Sequence, residues 1–254
     1  MRIARETWIV FARAMRLSLR NPVWVVIGLT QPVLYLGLFG PLLEPITQAP
    51  GMPAGDSWQW FVPGLLVQMG VFGALFVGFF LIAEYKAGVV ERMRVTPASR
   101  VSLLLGRVLR DVLVLLVQSV IILAMARGIF GMDAPMTTML LGLAMVALLG
   151  ASLAALSYAV ALTLKSEDAF APLVNGIALP ILLLSGILLP MSIAPAWLDT
   201  ASGFNPFRHV VDGARAIFAG DLTSSTALWG LAVTLALVVV GVTVGTRTFR
   251  RESA

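Results

Sequence analysis

The sequence predicts an all-α integral membrane protein with six transmembrane helices, an N-terminal amphipathic interfacial helix and a short outer re-entrant helical segment. Of the 254 residues, 59% are hydrophobic and only 12% are charged, and the mean hydropathy is +0.93. A soluble domain of this size leaves too much surface in water to hide so many apolar side chains. The apolar residues also lie in long stretches that suit the thickness of a bilayer. We expect residues 1–254 to form a single transmembrane domain.

The residue types that are missing or rare exclude several kinds of function. The chain has no cysteine, which excludes disulfides, iron–sulfur clusters, thiolate metal sites and cysteine nucleophiles. It has one histidine, which excludes a multi-histidine metal site within one chain. The net charge of +5 would suit either nucleic acid or a membrane surface. Because of where the basic residues lie, we expect membrane lipids as partners and no nucleic acid.

Residues 1–20 are predicted to form an amphipathic helix that lies in the inner interface, with its basic side toward anionic lipid. The alternative is an unstructured basic leader. A cleaved signal peptide is disfavoured because the apolar run that follows, residues 21–43, is longer than a signal core. Asn21 and Pro22 are predicted to be the N-cap and first-turn proline of the first span. The basic stripe of the helix contains Arg2, Arg5, Arg13, Arg16 and Arg20, and the apolar face contains Ala4, Trp8, Phe11, Met15 and Leu19.

The third span has the shortest charge-free core of the six, because only residues 112–126 are free of charge. The apolar segment VSLLLG at 101–106 indicates an earlier start, which would place Arg107, Arg110 and Asp111 in cytoplasmic turns where long side chains reach the headgroups. The predicted spans are 21–43, 58–83, 102–127, 138–164, 172–190 and 224–246.

The basic residues set the orientation. With both termini in the cytoplasm, 15 of the 18 Lys and Arg residues lie on the inner side and 3 on the outer side. Such an asymmetry follows the positive-inside rule and predicts a multi-pass protein with both termini cytoplasmic.

The two outer connections differ in character. Residues 44–57 are rich in proline and glycine and are predicted to be irregular. Residues 191–221 contain a helical pattern, since the apolar residues from Phe207 to Phe218 recur at helical spacing. We therefore predict a short amphipathic helix on the outer side. Its predicted cap, first-turn proline and charged face are Asn205, Pro206, Arg208, Asp212 and Arg215.

The chain carries no recognisable catalytic motif. No GxxxxGK[ST] phosphate-binding loop, HExxH or GxSxG occurs, so we expect no catalytic, cofactor-binding or metal-binding residues in this chain. Ionisable groups are almost absent from the apolar cores, and Asp111 near the cytoplasmic end is the nearest candidate for ion coupling. An ion-gradient-driven secondary transporter therefore remains only the alternative. Five polar residues at depth are candidates for the transport pathway or for interhelical hydrogen bonds: Gln31, Tyr35, Gln68, Gln118 and Asn175.

The inner loop at 84–100, EYKAGVVERMRVTPASR, is predicted to contain a short helix parallel to the membrane that stops before Pro97. It is either an ordinary cytoplasmic loop or a helix that docks into a groove of a cytoplasmic protein. The residues that would contact such a partner are Glu84, Gly88, Val89, Val90, Glu91, Arg92, Met93 and Arg94.

The segment GVVERMRVTPASR resembles the loop after the second span in membrane subunits of type-2 ABC exporters, particularly the daunorubicin-resistance kind. The resemblance covers nearly the whole chain. It includes NPVWVVIGLTQPVLYLGLFGPLL at 21–43, LPILLLSGILLP at 179–190 and FNPFRHVVDGARAIFAGD at 204–221.

The resemblance implies an ATP-driven exporter in a bacterial plasma membrane. This chain would pair with a second copy of itself or with a related membrane subunit. Two separate ATP-binding cassette subunits, which would carry ATP and Mg²⁺, would dock beneath them. Residues 84–94 and the N-terminal helix would form the coupling surface, and residues 204–220 would close the pathway on the outside. Because the residues at depth are apolar or uncharged, we expect a lipophilic drug-, antibiotic- or lipid-like substrate.

Overall fold

The computed structural model describes residues 2–42, 57–94, 99–188 and 191–251. In these ranges the chain is helical and contains no β-strand, which confirms the all-α prediction. The predicted irregular loop at 44–57 lies outside the described residues except for Ser57. The helices are α1 Arg2–Arg20, α2 Val23–Leu34, α3 Ser57–Leu75, α4 Gly78–Lys86, α5 Val89–Arg94, α6 Arg100–Gly128, α7 Met136–Leu164, α8 Glu167–Leu184, α9 Ala196–Gly203, α10 Pro206–Phe218 and α11 Ser225–Arg251.

Six helical segments in the described ranges are long and apolar enough to cross a membrane, as predicted. The first consists of α2 and the π-helical turn Tyr35–Phe39 that continues it. The second combines α3 and α4, and α6, α7, α8 and α11 supply the others. The segments are Val25–Leu42, Ser57–Lys86, Arg100–Gly128, Met136–Leu164, Glu167–Leu184 and Ser225–Phe249.

The third span starts well before its charge-free core. Ser99 caps α6, because its backbone is extended and its hydroxyl accepts a hydrogen bond of 3.1 Å from the backbone N–H of Ser102. Arg107 and Asp111 therefore lie inside a continuous helix, and both side chains are buried.

The first span starts differently from the prediction. Its N-cap is Pro22, not Asn21, and no side chain caps the helix. Pro22 has helical backbone angles of φ −72° and ψ −6°, and the N–H of Asn21 donates to the carbonyl of Ser18 at 3.2 Å. The chain thus passes from α1 to α2 through a tight helical turn, whereas capping by a side chain requires an extended residue.

Helix α7 is the centre of the molecule, since it packs against α3, α4, α6, α8, α10 and α11. Small residues allow the close approach of α11. A Cβ atom on Gly241 would lie only 2.5 Å from the carbonyl oxygen of Ser152, and the Ser152 hydroxyl donates to Leu237 O at 2.5 Å. Contacts of this kind replace the hydrophobic effect as the main attraction between helices in lipid.

The second span is interrupted between α3 and α4. The hydroxyl of Ser157 on α7 donates to the carbonyl of Leu75 at 2.6 Å and accepts from the N–H of Gly78 at 3.0 Å. Backbone groups exposed by a helix break must find partners inside the protein, because lipid offers none. One side chain of the central helix thus holds the interruption together.

Helix α1 packs along α6. A Cβ atom on Gly106 would lie 2.6 Å from Val10 Cβ, so the two helices are in close contact at this glycine. The carboxylate of Glu6 accepts hydrogen bonds from Ser99 N at 2.8 Å and Ser102 Oγ at 3.2 Å. Trp8 and Ile9 remain exposed. The location of α1 at the membrane interface stays a prediction.

Candidate functional site

The predicted coupling segment begins where the second span ends. Helix α4 stops at Lys86, and the N–H of Gly88 donates to Tyr85 O at 2.9 Å. Gly88 has a φ of +69°, a left-handed conformation that glycine adopts without strain. The carbonyl of Gly88 then accepts from Arg92 N at 3.2 Å as α5 begins. A short helix therefore follows the span directly after a sharp glycine turn.

The described side chains of α5 point in different directions. Val90 is buried, Val89 is partly buried and Arg92 is exposed. The side chains of Glu91, Met93 and Arg94, which we predicted to take part in coupling, lie outside the described residues. The role of this segment in docking stays a prediction.

Two ion pairs hold the C-terminal end of α4. Glu84 Oε2 lies 2.7 Å from Arg107 Nη2 on α6. Lys86 Nζ lies 3.0 Å from Glu167 Oε1 at the start of α8, where both side chains are largely exposed. The end of the second span is thus connected to the third and the fifth.

A second set of polar contacts joins α6 to α7. The hydroxyl of Tyr158 donates to Asp111 Oδ2 at 2.5 Å, and Arg110 Nη1 lies 3.1 Å from Asp111 Oδ1. Arg110 also donates to Ser18 Oγ at 3.4 Å, which links this site to α1. The sequence indicated that Arg110 and Asp111 lie near the cytoplasmic end of the third span. It did not indicate that Tyr158 would meet them, because nothing in the sequence relates those two helices.

The five predicted pathway residues lie on four helices, α6, α3, α8 and the first span. Gln118 on α6 is buried, and its Nε2 donates to Val25 O on α2 at 2.9 Å, which makes it an interhelical contact. Gln68 on α3 is also buried, and its Oε1 has no hydrogen-bond partner among the described residues. Gln31 and Asn175 are exposed at the surface of the single chain, and Tyr35 is partly buried.

In the segment predicted to lie outside, Arg215 connects α10 to α3 and to the turn after α8. Its Nε donates to Trp60 O at 3.1 Å, its Nη2 donates to Gly186 O at 2.8 Å, and its guanidinium carbon lies 3.8 Å from the centre of the Trp60 ring. Burial lowers the pKa of Arg215 to about 10, against the opposing effect of Asp212. The sequence placed Arg215 on the charged face of this helix and did not predict that it would be buried.

The remaining charged residues of the outer segment form a chain. Arg208 Nη2 lies 2.7 Å from Asp199 Oδ1 on α9, and Arg215 Nη1 lies 3.6 Å from Asp212 Oδ1. Burial raises the pKa of Asp212, and the nearby Arg215 and Arg208 lower it in part. Asn205 accepts from Phe207 N at 3.1 Å and Pro206 occupies the first turn, as predicted.

The described residues contain no group of three or more His, Asp or Glu side chains able to hold a metal ion. The candidate functional residues thus lie at two ends of the helical domain, the coupling segment with its ion pairs at one end and α10 at the other.

Comparison with known proteins gives a consistent result. Residues 5–219 match the ABC-2 type transporter family. A protein of Cyanophora paradoxa named as a transport permease, ycf38, is 26% identical over 218 residues, which are 85% of this chain and 74% of the relative. The multidrug ABC transporter permease YbhR of Escherichia coli strain K12 is 25% identical over 70% of this chain and 49% of its own length. The daunorubicin resistance ABC transporter permease protein DrrB1 of Streptomyces coeruleorubidus is 23% identical over 95% and 85%.

Proposed function

Because the chain belongs to the ABC-2 type transporter family and is a membrane subunit of an ABC exporter, we propose that it moves a lipophilic drug-, antibiotic- or lipid-like substrate out of the cytoplasm or the inner leaflet. The match over residues 5–219, which spans both candidate ends of the pathway, carries this proposal.

Two features support a lipophilic substrate. The candidate polar residues of the spans are uncharged, whereas a strongly charged cargo would need a polar channel. One relative is also named as a multidrug ABC transporter permease, and another is named for daunorubicin resistance.

The energy is supplied by a separate ATP-binding subunit in this proposal. The sequence holds no phosphate-binding loop, so ATP and Mg²⁺ are bound by the partner, with two such subunits in one complex. The partner docks on α5 and on α1. Arg92 is exposed on α5, whereas Val90 packs into the membrane subunit. Helix α5 therefore has one face toward the ATP-binding partner and another toward the spans.

A second membrane subunit, identical or related, completes the transporter. The first and fifth spans bury few of their residues inside the chain. Their exposed apolar residues, which include Val26, Ile27, Ile177 and Leu183, offer a face for lipid or for this second subunit. We place the complex in a bacterial plasma membrane with both termini cytoplasmic, and we assign closure of the outer end to residues 204–220, which contain α10.

Transport into inside-out vesicles tests the proposal. Membranes from native cells with and without this chain are incubated with daunorubicin and, separately, with a fluorescent phospholipid. We expect ATP-dependent, vanadate-sensitive movement of at least one of the two probes only when the chain is present. Movement that needs no ATP and disappears with a protonophore would instead support the ion-driven alternative.

The coupling segment has its own test. Gly88→Pro should reduce transport at least tenfold while leaving the amount of chain in the membrane within twofold, because proline lacks the N–H that bonds Tyr85 O and cannot adopt a positive φ. Gly203→Ala, at an open site on the outer side, is the control. Equal losses of transport and of protein would mean that the segment serves folding.

A further inference from the structure

Four charged side chains and one tyrosine lie close together near the cytoplasmic ends of the second, third and fourth spans. We call Glu84, Arg107, Arg110, Asp111 and Tyr158 the inner ionic cluster. Arg107, Asp111 and Tyr158 are 6%, 9% and 1% exposed, whereas Glu84 and Arg110 are partly buried, so the cluster extends from the surface into the interior. Its two carboxylates balance its two guanidinium groups, which leaves no net charge to be solvated.

The cluster reaches across three helices through two direct contacts and one shared helix face. Glu84 on α4 pairs with Arg107 on α6 at 2.7 Å. Arg107 and Asp111 are four residues apart on α6 and so lie on one face of that helix. Asp111 then accepts from the Tyr158 hydroxyl on α7 at 2.5 Å.

Helix α4 is short and is held by contacts at both ends. It contains nine residues, which makes it about 13 Å long. Its first residue lies at the break held by Ser157, and its last turn carries Glu84 and leads through Gly88 into α5. The first end of α4 thus contacts α7 directly through Ser157, and its last turn contacts α6 through the Glu84–Arg107 pair.

The energetics of buried charge favour movement of the cluster as a unit. A buried ion pair adds little net stability, yet separating it leaves uncompensated charge where water and lipid headgroups are scarce. A displacement of α4 is therefore less costly if Arg107 follows Glu84 than if the pair opens. Such a pair transmits motion better than an apolar contact, which can slide.

We infer that the inner ionic cluster transmits the displacement of α5 to α6 and α7, with Glu84, Arg107, Asp111 and Tyr158 as positioning residues. The inference rests on the proposed function, because the displacement originates in the ATP-binding partner that docks on α5. It goes beyond that function by assigning the path through which docking reaches the spans.

Spin labels on single cysteines test the path. The chain has no cysteine of its own, so Arg92→Cys reports on α5 and Met136→Cys reports on the outer end of α7. Both positions are exposed. The complex that copurifies with the chain is placed in lipid nanodiscs, and the spectrum of each label is compared without nucleotide and with ATP and vanadate. The same complex without an introduced cysteine is treated with the spin label in parallel and supplies the background signal.

Each label is then measured in three variants. Glu84→Gln and Tyr158→Phe each remove one contact of the cluster, and both keep the size and shape of the original side chain. Lys86→Gln is the matched control, because the Lys86–Glu167 pair holds the same end of α4 but is exposed. A double variant, Glu84→Arg with Arg107→Glu, exchanges the charges and tests for rescue.

We expect Glu84→Gln and Tyr158→Phe to keep the nucleotide response at Arg92→Cys and to reduce the response at Met136→Cys at least twofold. The control should keep both responses, and the exchanged pair should regain at least half of the lost one. An undiminished response at Met136→Cys in both single variants would overturn the inference, as would an equal loss in Lys86→Gln. Because Arg92 lies on the docking face, the labelled Arg92→Cys complex is used only if the ATP-binding subunit still copurifies with it. No response at this label in the unsubstituted cluster would then contradict the proposed docking itself, so the two failures are distinguishable.

Discussion

Ser157 shows how one hydroxyl group can support an interruption in a transmembrane helix. It satisfies both the carbonyl of Leu75 and the N–H of Gly78, and it is buried in the central helix. Ser119 on α6 is equally buried, but its hydroxyl has no hydrogen-bond partner among the described residues. Both serines are therefore buried, but only Ser157 satisfies backbone groups of another helix.

Replacing each serine by alanine separates these functions. Ser157→Ala should lower the free energy of unfolding by about 1–3 kcal/mol, because two buried backbone groups lose their partner. Ser119→Ala should be neutral or slightly stabilising, because it removes an unpaired polar group. Thermal unfolding of the purified chain in mild detergent measures both, and equal midpoints would refute the assignment.

The shape of the Arg215 side chain, and not only its charge, positions α10. Its planar guanidinium reaches Trp60 O and Gly186 O at once and also lies against the Trp60 ring. Arg215→Lys keeps the positive charge but loses the planar guanidinium group with its several N–H donors and its stacking on the Trp60 ring. It should therefore lower the free energy of unfolding by about 2 kcal/mol. If charge alone held α10 in place, the lysine variant would unfold at the wild-type temperature.

At the scale of elements, the outer helix α10 is positioned by its crossing with α11. A Cβ atom on Gly213 would lie 2.7 Å from Gly230 Cα, and one on Gly230 would lie 2.6 Å from His209 O. Since backbone atoms stand on both sides of the crossing, neither helix can make room without moving. The close contact between these two helices thus depends on this pair of glycines.

Gly213→Ala should therefore destabilise the chain by about 1–3 kcal/mol through overpacking. Gly176→Ala on α8 is the matched control, because nothing lies within 4 Å of its added Cβ and alanine favours the helix. Thermal unfolding of the two variants should differ in sign. A stable Gly213→Ala protein would mean that the two helices separate more readily than this crossing implies.

The elements themselves could largely be predicted, because a span and an amphipathic helix are properties of a single segment. Apolar length predicts the six spans, and Asn205 with Pro206 predicts the start of α10. The interruption at Leu75–Gly78 could not be predicted, since no proline marks it, while Pro63 lies inside the unbroken α3. The break depends on a serine of another helix.

Contacts between helices could not be predicted from the sequence for the same reason. Arg107 and Asp111 stood out as charges in an apolar segment, but their partners Glu84 and Tyr158 lie 23 and 47 residues away in the chain. Of the pathway candidates, Gln118 forms an interhelical hydrogen bond, a use that the sequence had left open. Pairing in space requires the packing of α4, α6 and α7, which no local pattern encodes.

At the scale of the whole molecule, the orientation in the membrane is open to direct test. Ala87→Cys lies beside the coupling segment and Ala196→Cys lies at the start of α9, and both positions are exposed. Because the chain has no native cysteine, a membrane-impermeant maleimide reports on each alone. In intact cells the reagent should label Ala196→Cys and should reach Ala87→Cys only after permeabilisation. The reverse pattern would place the coupling segment outside the cell.

The central claim is that this chain is one membrane subunit of a larger ATP-driven machine, with α5 as its contact to the motor. The most direct test is purification of the tagged chain from its native membranes in mild detergent, followed by mass spectrometry of the proteins that accompany it. We predict a stoichiometric ATP-binding subunit that is lost when Gly88→Pro disrupts the start of α5. A chain that repeatedly purifies intact and alone would contradict the account.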